Sequence, residues 1–218
     1  MLIEYIPTTE YFSHFIKWST GHTILDFGSN CGNLLKSNNI ITPAQYTGID
    51  VDRESIEEGK RLYPAAEWIW YNRFNPAYNH TGTTALPQFN KKFDMIISYS
   101  VFSHTTAEDM LELIDHLFTY LKNNGKIYFT YCNINNKKLV SWFRNRRANC
   151  DEIPTDKDYV YLVDNKISNG YPSEKCTHFV SFYKEQWITS LLHRYNPVSC
   201  PTPDSNWQQD CIILTKKE

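Results

Sequence analysis

Short apolar runs alternate with amphipathic stretches along most of this chain, and this alternation constrains the fold more than any other feature of the sequence. A short apolar run bounded by turn residues is typical of a buried strand, whereas apolar residues three or four positions apart are typical of a helix that packs on a sheet. Repeated units of this kind build a mostly parallel sheet with helices on both faces. We therefore expect a doubly wound α/β fold in a single domain over residues 1–218.

The predicted elements follow one another in a regular order. Helices are expected over residues 9–19, 53–62 and 106–122, and Asp52 is the predicted N-cap of the second helix. Strands are predicted at residues 23–27, 46–51, 67–71, 93–99 and 126–131, with a last strand at 211–214. No linker rich in Pro, Gly or Ser divides the chain, which supports a single core.

The first predicted strand runs directly into the turn Asp26-Phe27-Gly28-Ser29-Asn30-Cys31-Gly32. Gly28 and Gly32 lack the Cβ atoms that would keep a ligand away from the backbone, and the next helix begins with free N–H groups. Such N–H groups bind anionic or polar parts of a ligand, and Asp26 adds a fixed acceptor at the strand end. The turn therefore predicts a binding site for a nucleotide or an amino-acid moiety.

Charge and composition argue against several classes of partner. The formal net charge is −2 over 218 residues, so no overall positive field would attract nucleic acid. The six cysteines are scattered without a CxxC pair, which predicts reduced thiols and no metal site. No apolar run is long enough to span a membrane, and the N-terminus lacks the pattern of a signal peptide. We expect a cytoplasmic protein that acts without nucleic acid or membrane.

The order of these segments resembles the class I S-adenosylmethionine-dependent methyltransferases of the small-molecule type, over roughly the first three-fifths of the chain and again at its end. The resemblance is carried in turn by DFGSNCG, YTGIDVD, FDMIISYSVFSHT and LKNNGKIYFTY. It implies a Rossmann-like, mostly parallel sheet of about seven strands with an antiparallel last strand. It also implies S-adenosyl-L-methionine as the cofactor.

The resemblance further assigns cofactor contacts. The family's turn, an acid followed by two spaced glycines, is matched by Asp26, Gly28 and Gly32, with Asn30 where a middle glycine is common. Asp50 ends the second strand about twenty residues beyond the turn, where a nucleoside site needs a carboxylate for two ribose hydroxyls. The set implied for cofactor binding is Asp26, Gly28, Ser29, Asn30, Gly32, Asp50, Val51, Asn72, Ser98 and Tyr99.

Three alternative interpretations lead to other functions. A nicotinamide-dependent Rossmann oxidoreductase would need GxGxxG after the first strand, but the chain has Asn30 and no third glycine. The segment Asn75-Pro76-Ala77-Tyr78 is similar to a box of nucleic-acid amino-methyltransferases, but it precedes the fourth strand and is interpreted as a proline turn. A non-catalytic S-adenosylmethionine-binding module is the third alternative, because fold and site do not prove turnover.

His104 is the candidate catalytic base. Methyl transfer from a sulfonium needs in-line placement of the nucleophile, exclusion of water and, for a hydroxyl acceptor, removal of one proton. The motif Ser103-His104-Thr105 follows the fourth strand, where its loop is expected to overhang the methyl group, and histidine titrates near neutrality. The alternative is a structural role for His104 at the start of the next helix.

Residues 133–180 interrupt the regular order and are too long for an ordinary connection. They are predicted to form an acceptor-binding insertion with a helix at 140–147 and a hairpin turn at Asp164-Asn165. A further helix is expected over residues 181–192.

The resemblance implies that the insertion and the segment before the first strand build the acceptor pocket. The insertion's aromatic rings suit a sugar or planar ring, and its arginines suit an anionic group, although a solvated basic helix face is the alternative for them. The predicted acceptor contacts are Tyr11, Trp142, Arg144, Arg147, Tyr171 and His178. We expect a small polar acceptor, such as a sugar or nucleotide-linked metabolite, methylated on oxygen rather than nitrogen.

Overall fold

The computed structural model describes residues 8–36, 38–147, 149–201 and 209–217. Its helices, α1 to α6, are Thr8–Ser13, Asn33–Lys36, Arg53–Leu62, Ala107–Thr119, Lys137–Arg146 and Glu185–Leu191. Its strands, β1 to β10, are Ile24–Phe27, Tyr46–Asp50, Glu67–Trp70, Phe93–Ser98, Leu121–Asn133, Tyr159–Val163, Lys166–Ser168, Phe179–Tyr183, Val198–Cys200 and Asp210–Thr215. No helix in this part of the chain combines the length and apolar character that a membrane crossing requires.

Five parallel strands form the middle of the sheet, in the order β3-β2-β1-β4-β5. β10 pairs antiparallel with β5, and β9 pairs antiparallel with β10. From β1 the chain builds outward to β3 on one side and then to β5 on the other, which opens a crevice at the carboxyl ends of the strands. The predicted doubly wound α/β fold with an antiparallel last strand is confirmed.

Apolar side chains cover both faces of the sheet. Consecutive strand residues point to opposite faces, and Ile24 and Leu25 of β1 accordingly belong to two different clusters of buried residues. The cluster of Ile24 includes residues of α1 and α2, whereas that of Leu25 includes residues of α4. α3 begins at its predicted N-cap, because the Asp52 carboxylate accepts from the Glu54 N–H at 3.2 Å. With both faces covered, a ligand has access at the ends of the strands.

The insertion adds a small sheet extension to the end of β5. β8 pairs in parallel with Cys132 and Asn133, and β6 and β7 form a hairpin that continues antiparallel from β8. The turn of the hairpin is Asp164-Asn165, as predicted, with left-handed φ angles of 46° and 73°. The extension therefore stands beside the carboxyl ends of the parallel strands.

Several boundaries differ from the sequence-based expectations. The helix predicted over residues 181–192 covers only Glu185–Leu191, because the residues before it form β8, which is buried throughout where it pairs with β6. The first helix ends at Ser13 rather than residue 19, and β5 begins earlier than predicted. β9 has no counterpart among the predicted strands. Over the described part of the chain, the sheet has ten strands rather than about seven because of the extension.

Candidate active site

A cavity of about 330 Å³ opens at the carboxyl ends of β1, β2 and β4. This is the crevice beside the central strand where open α/β sheets bind their ligands. The sequence-predicted residues that line it are Gly28, Asn30, Asp50, Val51, Tyr99, His104 and Tyr171. The cavity therefore connects predicted cofactor contacts to the predicted base.

Backbone geometry shapes the cofactor end of the cavity. Gly28 has a φ of 84°, and a Cβ atom there would lie 2.1 Å from Cγ2 of Val101, so only glycine fits. Asn30 is also left-handed, with a φ of 49°, and its Oδ1 accepts from the Cys31 N–H at 2.7 Å. Among non-glycine residues, asparagine adopts this conformation most readily because its side chain bonds locally. Asn30 thus takes the left-handed conformation at the position where the resemblance expects a glycine.

The Asp50 carboxylate closes the turn and lines the cavity. One oxygen accepts from the Asn30 N–H at 2.7 Å and the other from the Asp52 N–H at 2.9 Å. Burial raises the pKa of Asp50, while these N–H groups act against the rise. A carboxylate has about four acceptor sites, so further sites remain for hydroxyl groups of a ligand.

Two predicted cofactor contacts on the strands do not line the cavity, because their side chains point into the faces of the sheet. The Asp26 carboxylate accepts from the Tyr46 hydroxyl at 2.7 Å, and burial raises the pKa of Asp26 to about 7. Ser98 is fully buried, and its Oγ has no hydrogen-bond partner among the described residues. Both residues belong to the frame of the site.

Three further predicted contacts also lie outside the lining. The Ser29 N–H donates to the Ile49 carbonyl at 3.0 Å, and its side chain is buried. Gly32 provides room for the Trp68 ring, which would lie 3.0 Å from a Cβ atom at that position. Asn72 is exposed and bonds to the side chain of Asn79 rather than facing the cavity.

His104 lies at the other end of the cavity, on the 3-10 turn Phe102–His104. Its Nδ1 is 2.5 Å from the carbonyl oxygen of Phe179. Because a carbonyl oxygen only accepts, Nδ1 carries the proton and Nε2 the lone pair of a neutral imidazole. Burial lowers the pKa of His104, and the charge of Arg147 also lowers it. His104 is therefore neutral near physiological pH and able to accept a proton at Nε2.

The sheet extension formed by β6 to β8 fixes the backbone next to His104 through the carbonyl oxygen of Thr105. The hydroxyl groups of Ser181 and Tyr183, both on β8, donate to this oxygen, the tyrosine at 3.1 Å. The same strand supplies the carbonyl that bonds to the His104 imidazole. β8 therefore sets both the backbone and the ring of the candidate base.

Two more tyrosine hydroxyls of the insertion hold the start of α4. Tyr171 accepts from the Thr106 N–H at 3.2 Å, and Tyr161 accepts from the Ala107 N–H at 2.9 Å. These N–H groups belong to the first turn of the helix, where no backbone partner exists for them. Tyr171, a predicted acceptor contact, therefore lines the cavity with a hydroxyl that is already engaged.

Arg147 and His178 adjoin His104 without lining the cavity itself. The His178 ring lies 5.9 Å from the His104 ring, measured between centroids. The Arg147 guanidinium donates to Nδ1 of His178 at 3.3 Å, so the proton of this neutral histidine sits on Nε2. Burial lowers the pKa of His178 to about 4, and the Arg147 charge also lowers it. The structure brings these two predicted acceptor contacts to the base.

The remaining predicted acceptor contacts lie elsewhere. Tyr11 is fully buried behind Tyr99, with the ring centroids 5.5 Å apart. Trp142 packs in the hydrophobic cluster of the insertion. Arg144 is exposed and forms an ion pair with Glu152 at 2.9 Å. None of these three lines the cavity.

Arg73 and Asp109 line the cavity although nothing in the sequence singles them out. Arg73 is only 6% exposed and donates to the carboxylates of Asp109 and Glu112, each at 2.5 Å. Its charge is therefore fully compensated. The partners are distant along the chain, so no local spacing could have revealed this wall.

The turn predicted at Asn75-Pro76-Ala77-Tyr78 is confirmed and also reaches the cavity. Oδ1 of Asn75 accepts from the N–H groups of Ala77 and Tyr78, each at 3.0 Å. The Tyr78 ring is 61% exposed and lies 6.1 Å from the His104 ring. Its place in the segment after β3, at the carboxyl end of the sheet, is the sequence signal that could have identified it.

Comparison with known proteins places the chain in a family. A doubly wound sheet with a glycine turn after β1 and an acid at the end of β2 is common to Rossmann-like nucleotide-binding folds, so these features alone do not choose among them. The chain belongs to a family of methyltransferase domains, whose model matches residues 6–196. A search of curated proteins gave no significant sequence match. The resemblance to S-adenosylmethionine-dependent methyltransferases is thereby confirmed, and the nicotinamide alternative has no such support.

Solved structures share the fold at low sequence identity. The glycopeptide N-methyltransferase MtfA with bound S-adenosylhomocysteine is 10% identical, with a TM-score of 0.59 over 96% of this chain and 88% of that one. A methyltransferase from Methanosarcina mazei is 16% identical, with a TM-score of 0.56 over 94% and 96%. One from Clostridium acetobutylicum is 14% identical, with a TM-score of 0.55 over 89% and 84%. MtfA has also been solved with S-adenosylmethionine.

Proposed function

We propose that this methyltransferase moves the methyl group of S-adenosyl-L-methionine to a hydroxyl group of a small polar acceptor. One observation carries the proposal. The same cavity has the glycine turn and Asp50 at one end and, at the other, a neutral histidine with its lone pair on Nε2. The glycine turn and Asp50 supply what cofactor binding requires, and the neutral histidine supplies the base that hydroxyl methylation requires.

The cofactor end fits S-adenosylmethionine through groups that are already in place. Asp50 has acceptor sites left for the ribose hydroxyls, and Gly28 allows close approach to the backbone. Asn30, Val51 and Tyr99 line the same cavity. When bound, the cofactor supplies a methyl group on a positively charged sulfur that needs no further activation.

His104 supplies the one proton transfer that a hydroxyl acceptor needs. As the acceptor oxygen forms its bond to the methyl carbon and the sulfur–carbon bond breaks, the hydroxyl proton passes to Nε2. The products are the methyl ether, S-adenosylhomocysteine and an imidazolium that releases its proton to water. The Phe179 carbonyl keeps the ring in the required tautomer and orientation throughout.

A fixed base favours oxygen over nitrogen as the acceptor atom. A neutral amine has a free lone pair and can lose its extra proton to water after transfer, whereas an alcohol is a weak nucleophile until its proton is removed. The burial that lowers the pKa of His104 keeps the base available at neutral pH. MtfA is named an N-methyltransferase, but at 10% identity it shares the fold alone.

The cavity walls suit a sugar or nucleotide-linked metabolite. Tyr78 offers an exposed ring for stacking, and the Arg73–Asp109 pair offers polar atoms for hydroxyl groups. We assign residues 133–180 as the acceptor-binding insertion of one domain that spans residues 1–218. Six separate thiols support a cytoplasmic location.

Calorimetry on the purified protein tests the cofactor assignment. We expect S-adenosylmethionine and S-adenosylhomocysteine to bind and NAD to give no heat. Asp50→Asn should weaken the binding of S-adenosylmethionine and of S-adenosylhomocysteine by about tenfold or more, because a charge-assisted bond to a hydroxyl is lost. Tight NAD binding without a response to S-adenosylmethionine would contradict the proposal.

Turnover is tested separately with methyl-labelled cofactor and a panel of hydroxylated sugars, nucleotides and metabolite extracts. A product that carries the labelled methyl group on an oxygen atom, and not on nitrogen, would support oxygen methylation. Cofactor binding without any labelled product would favour the non-catalytic module instead.

A further inference from the structure

Arg147 stands out from the other arginines near the site because its positive charge has no acidic partner among the described residues. Arg73 is paired with two carboxylates, and Arg144 is paired with Glu152. Arg147 instead donates to two neutral acceptors, Oδ1 of Asn165 at 3.2 Å and Nδ1 of His178 at 3.3 Å. The guanidinium is thus held in orientation without being neutralised.

This cation is half-buried and still has donors to offer. A guanidinium has about five N–H donors, and these two bonds use only two of them. Phe143 covers one face of the group at 5.1 Å. Burial lowers the pKa of Arg147, which shows that its charge is poorly solvated. A half-buried, oriented and uncompensated guanidinium is a site that an oxyanion would stabilise.

Two acids of the insertion bond to other groups. The Asp164 carboxylate accepts from the N–H and the hydroxyl of Thr177. Asp151 accepts from the Ile167 N–H and from the ammonium of Lys166. Neither carboxylate forms an ion pair with Arg147.

The proposed reaction moves the positive charge of the cofactor sulfur to His104, beside Arg147. His104 becomes positive when it takes the acceptor proton, and the cofactor sulfur is positive until the methyl group leaves. The positive charge of Arg147 already lowers the pKa values of both His104 and His178. A negative charge brought by the acceptor would stabilise the imidazolium when it forms.

We propose that Arg147 is an oxyanion-binding site beside His104, and that the acceptor carries a carboxylate or phosphate group in addition to its reacting hydroxyl. This inference rests on the proposed function and names its substrate class. The exposed ring of Tyr78 adjoins the same place, because it lies 6.1 Å from the His104 ring, measured between centroids. The acceptor ring stacks on Tyr78 while its oxyanion pairs with Arg147.

Binding of simple probes tests the site without requiring turnover. The protein saturated with S-adenosylhomocysteine is titrated with phenyl phosphate, benzoate and neutral phenol, and the imidazole signals of His104 and His178 are followed by NMR. Single His→Gln variants assign the two signals. We expect at least one oxyanion to shift them saturably, with phenol binding at least about tenfold more weakly. The oxyanion that binds more tightly distinguishes phosphate from carboxylate.

Matched variants assign the effect to Arg147. Arg147→Gln should weaken oxyanion binding by about tenfold or more, Arg147→Lys should restore part of it, and the exposed Arg144→Gln should leave it unchanged. Melting temperatures check that each variant is folded. The inference is overturned if phenol binds as tightly as the oxyanions, or if Arg147→Gln and Arg144→Gln bind them equally well.

The two failures can be told apart. Bound S-adenosylhomocysteine without oxyanion binding would remove this inference and leave the proposed function intact. Loss of S-adenosylhomocysteine binding would count against the proposed function, and the titration would then be made on the free protein, where the Arg147 geometry is the same.

Discussion

The two ends of the cavity are built in different ways. At the cofactor end the decisive bonds are local, such as the one from the Asn30 N–H to Asp50, which spans 20 residues. At the acceptor end they join distant segments: the bond between His104 and Phe179 spans 75 residues. Backbone conformation shapes the first end and side-chain hydroxyls the second. The cofactor end is therefore formed by the sheet itself, whereas the position of the base depends on the insertion.

The largest effect is expected at the acceptor end, from His104→Gln. Glutamine cannot take the proton, so kcat should fall by about 10²- to 10⁴-fold. The affinity for S-adenosylmethionine should not change, because the His104 ring bonds to the Phe179 carbonyl and not to the glycine turn or Asp50. Steady-state kinetics together with calorimetry separate the two quantities. Unchanged kcat would remove His104 from the mechanism.

Gly28→Ala should damage the cofactor end alone. The new Cβ would lie 2.1 Å from Val101, and a left-handed alanine adds about 1–2 kcal/mol of strain. We expect the affinity for S-adenosylhomocysteine to fall about tenfold or more. Gly21→Ala is the matched control, because its Cβ would come no closer than 3.8 Å to a neighbouring atom. Equal affinities for the two variants would show that close backbone approach is not needed.

Asp26 gives the cofactor end a pH-dependent stability. Burial raises its pKa from 3.8 to about 7, so the folded protein holds this proton where the unfolded chain has lost it. The stability contributed by the protonated group is present below pH 3.8 and is lost as the pH rises through about 7. Urea unfolding of the native protein should therefore lose stability over this range relative to Asp26→Asn, by at most about 1.4 kcal/mol per pH unit. If the unfolding free energies of the native protein and of Asp26→Asn changed in parallel with pH, the raised pKa of Asp26 would be contradicted.

The smallest effect is expected from Tyr183→Phe. The Thr105 carbonyl keeps its bond to Ser181, so stability should fall by only about 1 kcal/mol. If the sheet extension positions the base, kcat should fall a few-fold while cofactor affinity stays constant. Tyr159→Phe, at an exposed position of the same extension, is the control. A loss of cofactor affinity in Tyr183→Phe would erase the distinction between the two ends.

The same contrast explains how far the sequence alone could lead. The turn that contains Gly28 and the acid Asp50 at the end of β2 were both predictable, because glycine spacing, strand ends and the next acid are all local patterns. The side-chain direction of Asp26 was also accessible, since alternation along β1 puts it on the face of Ile24.

The acceptor end was not predictable in this way. Residues 181–183 were expected to begin a helix, but they belong to β8, whose position depends on pairing with β6 and the end of β5. The tyrosines of the insertion suited stacking on a ligand by composition, but Tyr161 and Tyr171 bond to the start of α4 instead. Such contacts follow from tertiary register, which local sequence does not encode.

A crystal structure with S-adenosylhomocysteine bound would test whether the cofactor binds between Asp50 and His104. We expect the ribose hydroxyls within hydrogen-bond distance of the Asp50 carboxylate and the sulfur directed along the cavity towards His104. A ligand bound with its ribose away from Asp50, or with its sulfur directed away from His104, would contradict it.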